Sequence, residues 1–176
     1  MSPLNPTAAS LLGFLHNGSM TGWELSQTAL TVIGSFWSLT RSQVYRELQR
    51  MAGEGLVEAG TPGTRDARPY ALTDQGRTAF AEWAAQPPAA ENIRFPLLLT
   101  VALGAHVDPA VLQHHLADHR AIHAQRLAEY EAMDVAAAEA GDPVDPWSMA
   151  TLAFGLRYER AVMDWFEALP DLLPED

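Results

Sequence analysis

Residues 38–76, SLTRSQVYRELQRMAGEGLVEAGTPGTRDARPYALTDQG, carry a run of start and stop signals that leaves few ways to fold. Thr40-Arg-Ser-Gln43 is a capping box: the threonine oxygen accepts from an early helix amide while the glutamine reaches back to the cap. The helix it opens should stop near Gly53 or Gly55, where glycine can take the left-handed conformation that ends helices. Residues 56–60 and 68–72 read as short strands around the turn Thr61-Pro-Gly-Thr64. Thr73-Asp-Gln-Gly76 then caps a further helix, which should run through Phe80 and Trp83 to the break at Gln86-Pro-Pro88.

Upstream, residues 10–16 are apolar with helical period (Leu11, Leu12, Phe14, Leu15) and stop at Asn17-Gly18. Thr21-Gly-Trp-Glu24 is a second capping box, opening a helix to about Thr31. Three short helices followed by a hairpin with arginines at its tip are the layout of a winged helix-turn-helix. Residues 87–92 form a linker. Three more helices should follow over residues 93–104, 109–138 and 146–169, the last two opened by Asp108-Pro109 and Asp145-Pro146, each a carboxylate cap before a proline in the first turn. The expected fold is therefore mainly α with a small β-hairpin wing. A winged helix-turn-helix DNA-binding domain (residues 1–86) precedes an α-helical dimerisation and effector domain (residues 87–176).

The net charge of −11 argues against a nucleic-acid partner until it is divided. Residues 1–85 hold six arginines against seven acidic residues, and residues 86–176 hold five against fifteen. The chain has no lysine, so every basic group is the planar, bidentate donor suited to guanine and phosphate. So few basic groups imply weak, salt-sensitive non-specific binding. With no cysteine, thiol chemistry and disulfides are excluded. No secretory leader is evident, and the longest apolar stretch, residues 95–105, is interrupted by Pro96 and too short to span a bilayer, so a cytoplasmic protein without a membrane partner is expected.

At 100° per residue, Val44, Leu48 and Met51 share one stripe and should face the core. Ser42, Arg46 and Gln49 point the opposite way, flanked by Tyr45 and Arg50. Arg46 suits guanine, Gln49 adenine, and Ser42 and Tyr45 the backbone. The caps Thr21 and Thr40, the first-turn residues Arg41 and Gln43, and the wing arginines Arg65 and Arg68 complete the expected DNA-binding set. A polar outer face is also what any amphipathic surface helix has; the hairpin arginines, which the turn does not need, favour DNA.

The blocks LLGFLHNGSMTGWEL, FWSLTRSQVYRELQRMAGEGLVEAG and RPYALTDQGR resemble the winged-helix domain of PadR-type transcriptional regulators. Gly22-Trp-Glu-Leu25, Tyr45-Arg-Glu-Leu48, Glu54-Gly-Leu56 and Leu72-Thr-Asp-Gln-Gly76 follow the family pattern in order and spacing over about residues 9–85. Trp23 stands where the family usually has tyrosine. The C-terminal part is more loosely similar to the longer PadR subfamily, through Arg157-Tyr-Glu-Arg160 and Asp164-Trp165. The resemblance implies a homodimer on a palindromic operator that usually represses and is released by a small-molecule effector.

In the last helix, Leu152, Leu156, Met163 and Phe166 cluster on one side and Trp147, Phe154, Tyr158 and Trp165 nearly opposite. A helix apolar on two sides must be covered on both, and a second subunit is the natural cover. The helix over 109–138 aligns Leu112, Leu116, His119, His123, Leu127 and Tyr130, with His115 at the edge. Leu112, Leu116, His119, His123, Leu152, Leu156 and Trp165 are the expected dimer contacts. His115, His119 and His123 at i, i+4 and i+8 offer metal-ligand chemistry, but two turns is too far for easy chelation of one ion, so they are expected as interface histidines with no metal or cofactor, a pH-responsive interface being a separate reading. Phe14, Trp37, Trp147 and Trp165 are candidates to line a pocket for a small hydrophobic or aromatic effector. No catalytic constellation or phosphate loop is present, so an enzyme is not expected. The competing expectation is a winged-helix module that binds a protein partner rather than DNA.

Overall fold

The computed structural model describes residues 4–63, 68–91, 93–140 and 145–172. It divides into two compact units, Met1–Ala90 and Glu91–Asp176, each with its own apolar cluster.

The first unit opens with α1 (Pro6–Leu15). Its apolar period alone places the start at residue 10. The observed start is earlier because Asn5 accepts from the Ala8 amide at 2.8 Å and Pro6 occupies the first turn. β1 (Met20–Thr21) leads into α2 (Gly22–Val32), and both halves of the capping box form: the Glu24 amide donates to Thr21 Oγ1 at 3.2 Å, and the Thr21 amide donates to Glu24 Oε2 at 2.7 Å. The same pair of bonds at Thr40 and Gln43, 3.2 and 2.8 Å, opens α3 (Arg41–Gly53). Gly55, at φ +73°, then turns the chain into β2 (Val57–Ala59). β3 (Pro69–Leu72) and α4 (Asp74–Ala84) complete the unit.

The strands form an antiparallel sheet in the order β1-β3-β2, with Val57 opposite Leu72 and Met20 opposite Tyr70. A two-stranded hairpin is what the sequence predicts; β1 adds a third strand. Two residues are too short to show an alternation, and Thr21 is recognisable only as a cap. The wing base is tied to α4 by Thr73, whose hydroxyl donates to the carbonyls of Gly55 and Leu56 (2.7 and 3.0 Å) and accepts from the Gly76 amide (3.0 Å). A Cβ at Gly76 would lie 2.1 Å from the Leu56 carbonyl oxygen, so only glycine fits this crossing.

The core of this unit joins Leu11, Leu12 and Leu15 of α1, Leu25 of α2, and Val44, Leu48 and Met51 of α3. Each fully buried side chain of this size is worth about 1.5–3 kcal/mol of transfer free energy.

In the second unit α5 (Pro96–Ala102) starts at Pro96 instead of residue 93, because a proline at the first helical position disfavours helix in the residue before it. A 3₁₀ turn (Gly104–His106), α6 (Pro109–Glu139) and α7 (Pro146–Leu172) follow. α7 continues through Pro170 beyond the expected stop at residue 169. Leu97, Phe166 and Leu169 form the buried cluster, with Val101, Leu116, Val162, Met163 and Trp165 packed against it. Along α6 the stripe Leu112, Leu116, His119, His123, Leu127 and Tyr130 is half-buried. Tyr130 can approach α7 because residue 155 is glycine; a Cβ there would meet the ring at 2.8 Å. Among the described residues no helix is long and apolar enough to cross a membrane.

Leu48→Ala is expected to remove roughly 2–5 kcal/mol from the unfolding free energy of the first unit, measured by urea titration.

Candidate nucleic-acid interface

With Val44, Leu48 and Met51 held in the core, the helical period leaves Arg41, Ser42, Tyr45, Arg46 and Gln49 exposed. Among the described residues, Arg46 and Gln49 have no hydrogen-bond or ion-pair partner, so their donors and acceptors face solvent. Ser42 Oγ lies 3.1 Å from Thr40 Oγ1, and Gln43 is occupied by the cap. Thr40 and Gln43 thus define where the helix begins.

Arg50 is differently placed. Its guanidinium bonds Glu47 at 2.9 Å and Glu54 at 2.8 Å, and Asn5 Nδ2 donates to the other Glu47 oxygen at 3.3 Å. Glu47 is only 9% exposed, so Arg50 supplies the charge that this carboxylate needs. The flanking position that helical phase assigns to Arg50 is correct, but the guanidinium is turned along its own helix by the two glutamates.

Thr21, Tyr45 and Arg68 come together around a cleft of about 240 Å³, joined by Trp23, Pro62 and Tyr70. Gly22 makes this possible: a Cβ there would lie 2.7 Å from the Tyr45 ring. Trp23, Pro62 and Tyr70 are not in the set expected from sequence. Trp23 follows the glycine of the capping box, and Tyr70 lies on a strand whose partner β1 is too short to anticipate. Arg65, expected at the wing tip, lies outside the described residues. The bonds from the Thr21 amide and hydroxyl hold the Glu24 carboxyl below its ordinary value.

Residues 11–82 match the transcriptional regulator PadR-like family, and residues 93–173 match the family described as virulence activator alpha C-term. The negative transcriptional regulator PadR of Bacillus subtilis (strain 168) is 25% identical over 95% of this chain and 97% of its own length. The crystal structure of Bacillus subtilis PadR in complex with operator DNA aligns with a TM-score of 0.84 at 20% identity, covering 98% of this chain and all of that one (100%). The same protein in complex with p-coumaric acid gives 0.77 at 20% identity, over 98% and 99% of the two chains. The Vibrio cholerae virulence activator AphA gives 0.74 at 26% identity, over 94% and 97%. Residues 11–82 thus form a PadR-like domain, and the chain over nearly its full length is similar to PadR transcriptional regulators.

Of the four aromatics expected around one effector pocket, Phe14 and Trp37 belong to the first unit of this PadR-like chain and Trp147 and Trp165 to the second. Phe14 packs on the core of the first unit, and Trp37 is an exposed residue of that unit. Trp147 and Trp165 are eighteen residues apart on α7, roughly 27 Å along the helix. Trp147 is 80% exposed; Trp165 alone of the four lines a cavity of about 530 Å³ in the second unit. Aromatic character shows in a sequence, but where on a long helix a cavity opens depends on its neighbours.

The residues expected at the dimer contact all lie in the second unit. Leu156 is buried within the unit, Leu116 and Trp165 pack on its cluster, and His123 Nδ1 bonds Glu159 at 2.5 Å. His119 lines the cavity, and Leu112 and Leu152 are half-buried. These side chains are largely used between α5, α6 and α7. The apolar surface left uncovered includes Leu98, Leu99 and Leu103 of α5 and Trp147 and Phe154 of α7. Helical phase identifies an apolar stripe without saying which chain covers it.

Two outcomes separate the structural from the exposed polar groups. Arg50→Gln should lower the unfolding free energy by about 1–3 kcal/mol by leaving Glu47 uncompensated, while Arg46→Gln leaves it unchanged in the same urea titration. Because Glu24 is depressed in the folded state, its contribution is present above the ordinary carboxylate range and is lost as pH falls through the folded value. Wild-type melting temperature should therefore drop further than that of Glu24→Gln on acidification, read from paired thermal melts.

Proposed function

We propose that this PadR-like chain is a sequence-specific regulator that binds double-stranded DNA as a homodimer, represses at a palindromic operator, and is released by a small apolar or aromatic effector. The observation that carries this reading is the outer face of α3, where Arg46 and Gln49 stand exposed and uncommitted on a helix whose inner face is fixed in the core. Such a helix suits the major groove, with Arg46 reading guanine and Gln49 adenine. Ser42, Tyr45, Arg41 and the caps Thr21 and Thr40 take the backbone, and Arg65 and Arg68 place the wing beside it. The operator complex of Bacillus subtilis PadR supports the DNA assignment, and its p-coumaric acid complex supports a small-molecule signal.

Residues 1–86 are assigned the DNA-binding role and residues 87–176 dimerisation and effector binding. The exposed Trp147 and Phe154, 80% and 68% accessible, and the outer leucines of α5 support a second subunit as cover. A two-fold dimer would also present two recognition helices to paired half-sites. The division of charge fits: the acidic excess lies in residues 86–176, so the first unit approaches DNA nearly neutral and relies on a few directed arginines.

The test is selection of fragments from random or genomic DNA by the full chain at low salt, followed by substitution. Arg46→Ala should cost about 1–3 kcal/mol and relax preference at one position of the site. Arg68→Ala and Arg65→Ala should weaken binding to all sequences alike and flatten the salt dependence. Recovery of no preferred sequence would sink the reading and leave a winged-helix module for a protein partner.

A further inference from the structure

Trp23, Pro62 and Tyr70 have no part in the reading of α3, yet they share a cleft of about 240 Å³ with Thr21, Gly22, Tyr45 and Arg68. Three elements build it. Trp23 lies in the first turn of α2, Tyr45 stands on the outer face of α3, and Pro62 and Arg68 lie between β2 and β3, the strand that carries Tyr70. Pairing of Met20 with Tyr70 and of Thr21 with Pro69 brings the start of α2 to the wing. Gly22 brings α3 to both, since a Cβ there would meet the Tyr45 ring at 2.7 Å. The cleft therefore lies between the exposed face of α3 and the hairpin.

Its walls combine aromatic rings with uncommitted donors. Trp23 is 55% exposed and Tyr45 41%, so neither ring is spent in the core. Among the described residues the Trp23 indole, the Tyr45 and Tyr70 hydroxyls and the Arg68 guanidinium have no hydrogen-bond or ion-pair partner. No carboxylate is among the described residues that line the cleft. Glu24, bonded to the lining residue Thr21, already takes its amide at 2.7 Å and its hydroxyl at 2.9 Å. Capacity for an anion thus lies at the Arg68 end.

Size narrows the ligand. About 240 Å³ is below the ~300–1,000 Å³ of clefts that enclose a small organic molecule. A space this small, walled by exposed side chains, suits one monomer of a polymer that continues on either side. One guanidinium without an acid selects an anion, and rings on the other walls select an apolar face beside that anion. A sugar phosphate has both. The DNA backbone runs between a helix in the major groove and a hairpin beside it, so the position supplies the same group.

We propose that the cleft holds one deoxyribose phosphate of the DNA backbone, the phosphate on Arg68 and the Tyr70 hydroxyl and the sugar between the Trp23 and Tyr45 rings. Trp23 and Tyr70 thereby join the DNA-contacting residues, and they seat the wing without reading a base. The proposal rests on the assignment of α3 to DNA and adds a backbone contact to it. A proline-rich peptide also packs between aromatic rings, but it would leave the guanidinium without an anion.

The test uses the full chain, the duplex recovered by selection and a shuffled duplex of the same length. Trp23→Ala and Tyr70→Phe should each weaken binding of both duplexes about tenfold while the ratio between them stays constant. Their urea midpoints should match wild type, since Trp23 is exposed and phenylalanine keeps the Tyr70 ring packed on the core. A series of recovered duplexes, each with one phosphate replaced by a neutral methylphosphonate, then locates the contact. At one position in each half-site the replacement should weaken wild-type binding but cost Arg68→Gln nothing more. Should Trp23→Ala fail to fold, Tyr70→Phe and the phosphate series decide. Unchanged affinity in the variants, an altered ratio, or no position at which Arg68→Gln cancels the replacement would each overturn the proposal. Displacement of the duplex by micromolar deoxyribose 5-phosphate would overturn it too, making the cleft a site for a free sugar phosphate. Displacement by a proline-rich peptide, abolished in Trp23→Ala, would assign the cleft to a protein partner instead. If the wild type binds neither duplex, the DNA reading and this site fall together; if it binds them and the variants match it, only this site falls.

Discussion

Val44, Leu48 and Met51 enter the cluster formed by Leu11, Leu12, Leu15 and Leu25, and the rest of the first unit follows from that insertion. Rotating α3 by one residue would expose this stripe and bury Gln49 in one direction or Arg50 in the other, at a cost far above anything surface polar contacts return. The outer face is thus set by the inner one. The same constraint reaches the wing, because α3 ends at Gly53, Gly55 turns the chain, and Thr73 bonds the carbonyls at that turn. The helix α3 and the hairpin are positioned by one continuous set of bonds and contacts.

The six arginines of residues 1–85 are not equivalent. Arg50 is held by Glu47 and Glu54 and braces the helix to the Asn5 cap of α1. Arg46 has no such partner among the described residues, and Arg68 stands at the aromatic cleft beside Tyr45. With so few basic groups, each one that is free counts, and an arginine tied to carboxylates has little left for a phosphate. Specificity in such a protein depends more on placement than on bulk charge.

The second unit meets a different problem, two long helices whose apolar residues exceed what they can bury against each other. α6 contains no fully buried residue, and α7 buries only Leu156, Glu159, Phe166 and Leu169. A buried glutamate among leucines is tolerated because His123 pairs with it across the helices. That pair could not be anticipated from spacing, since its members are thirty-six residues apart on different helices.

What was legible in the chain were the features written locally. The capping boxes at Thr21 and Thr40, the threonine cap at Thr73 and the Asp-Pro starts are settled by hydrogen bonds within a few residues, so the sequence alone determined where α2, α3, α4, α6 and α7 begin and that a hairpin follows α3, but not the starts of α1 and α5. The phase of α3 was legible for the same reason, as a periodicity of one helix. Tertiary structure decided the remainder. Strand β1 exists only because Tyr70 and Pro69 lie opposite it; Trp23 and Tyr70 join a cleft only because Gly22 lets Tyr45 close over α2; Trp165 lines a cavity while Trp147 stands in solvent. Arg46 and Arg50 look alike along the chain, and the carboxylates around Arg50 distinguish them. Local bonds are encoded within a turn or two of helix, whereas partners, cavities and burial depend on residues that only the fold brings near.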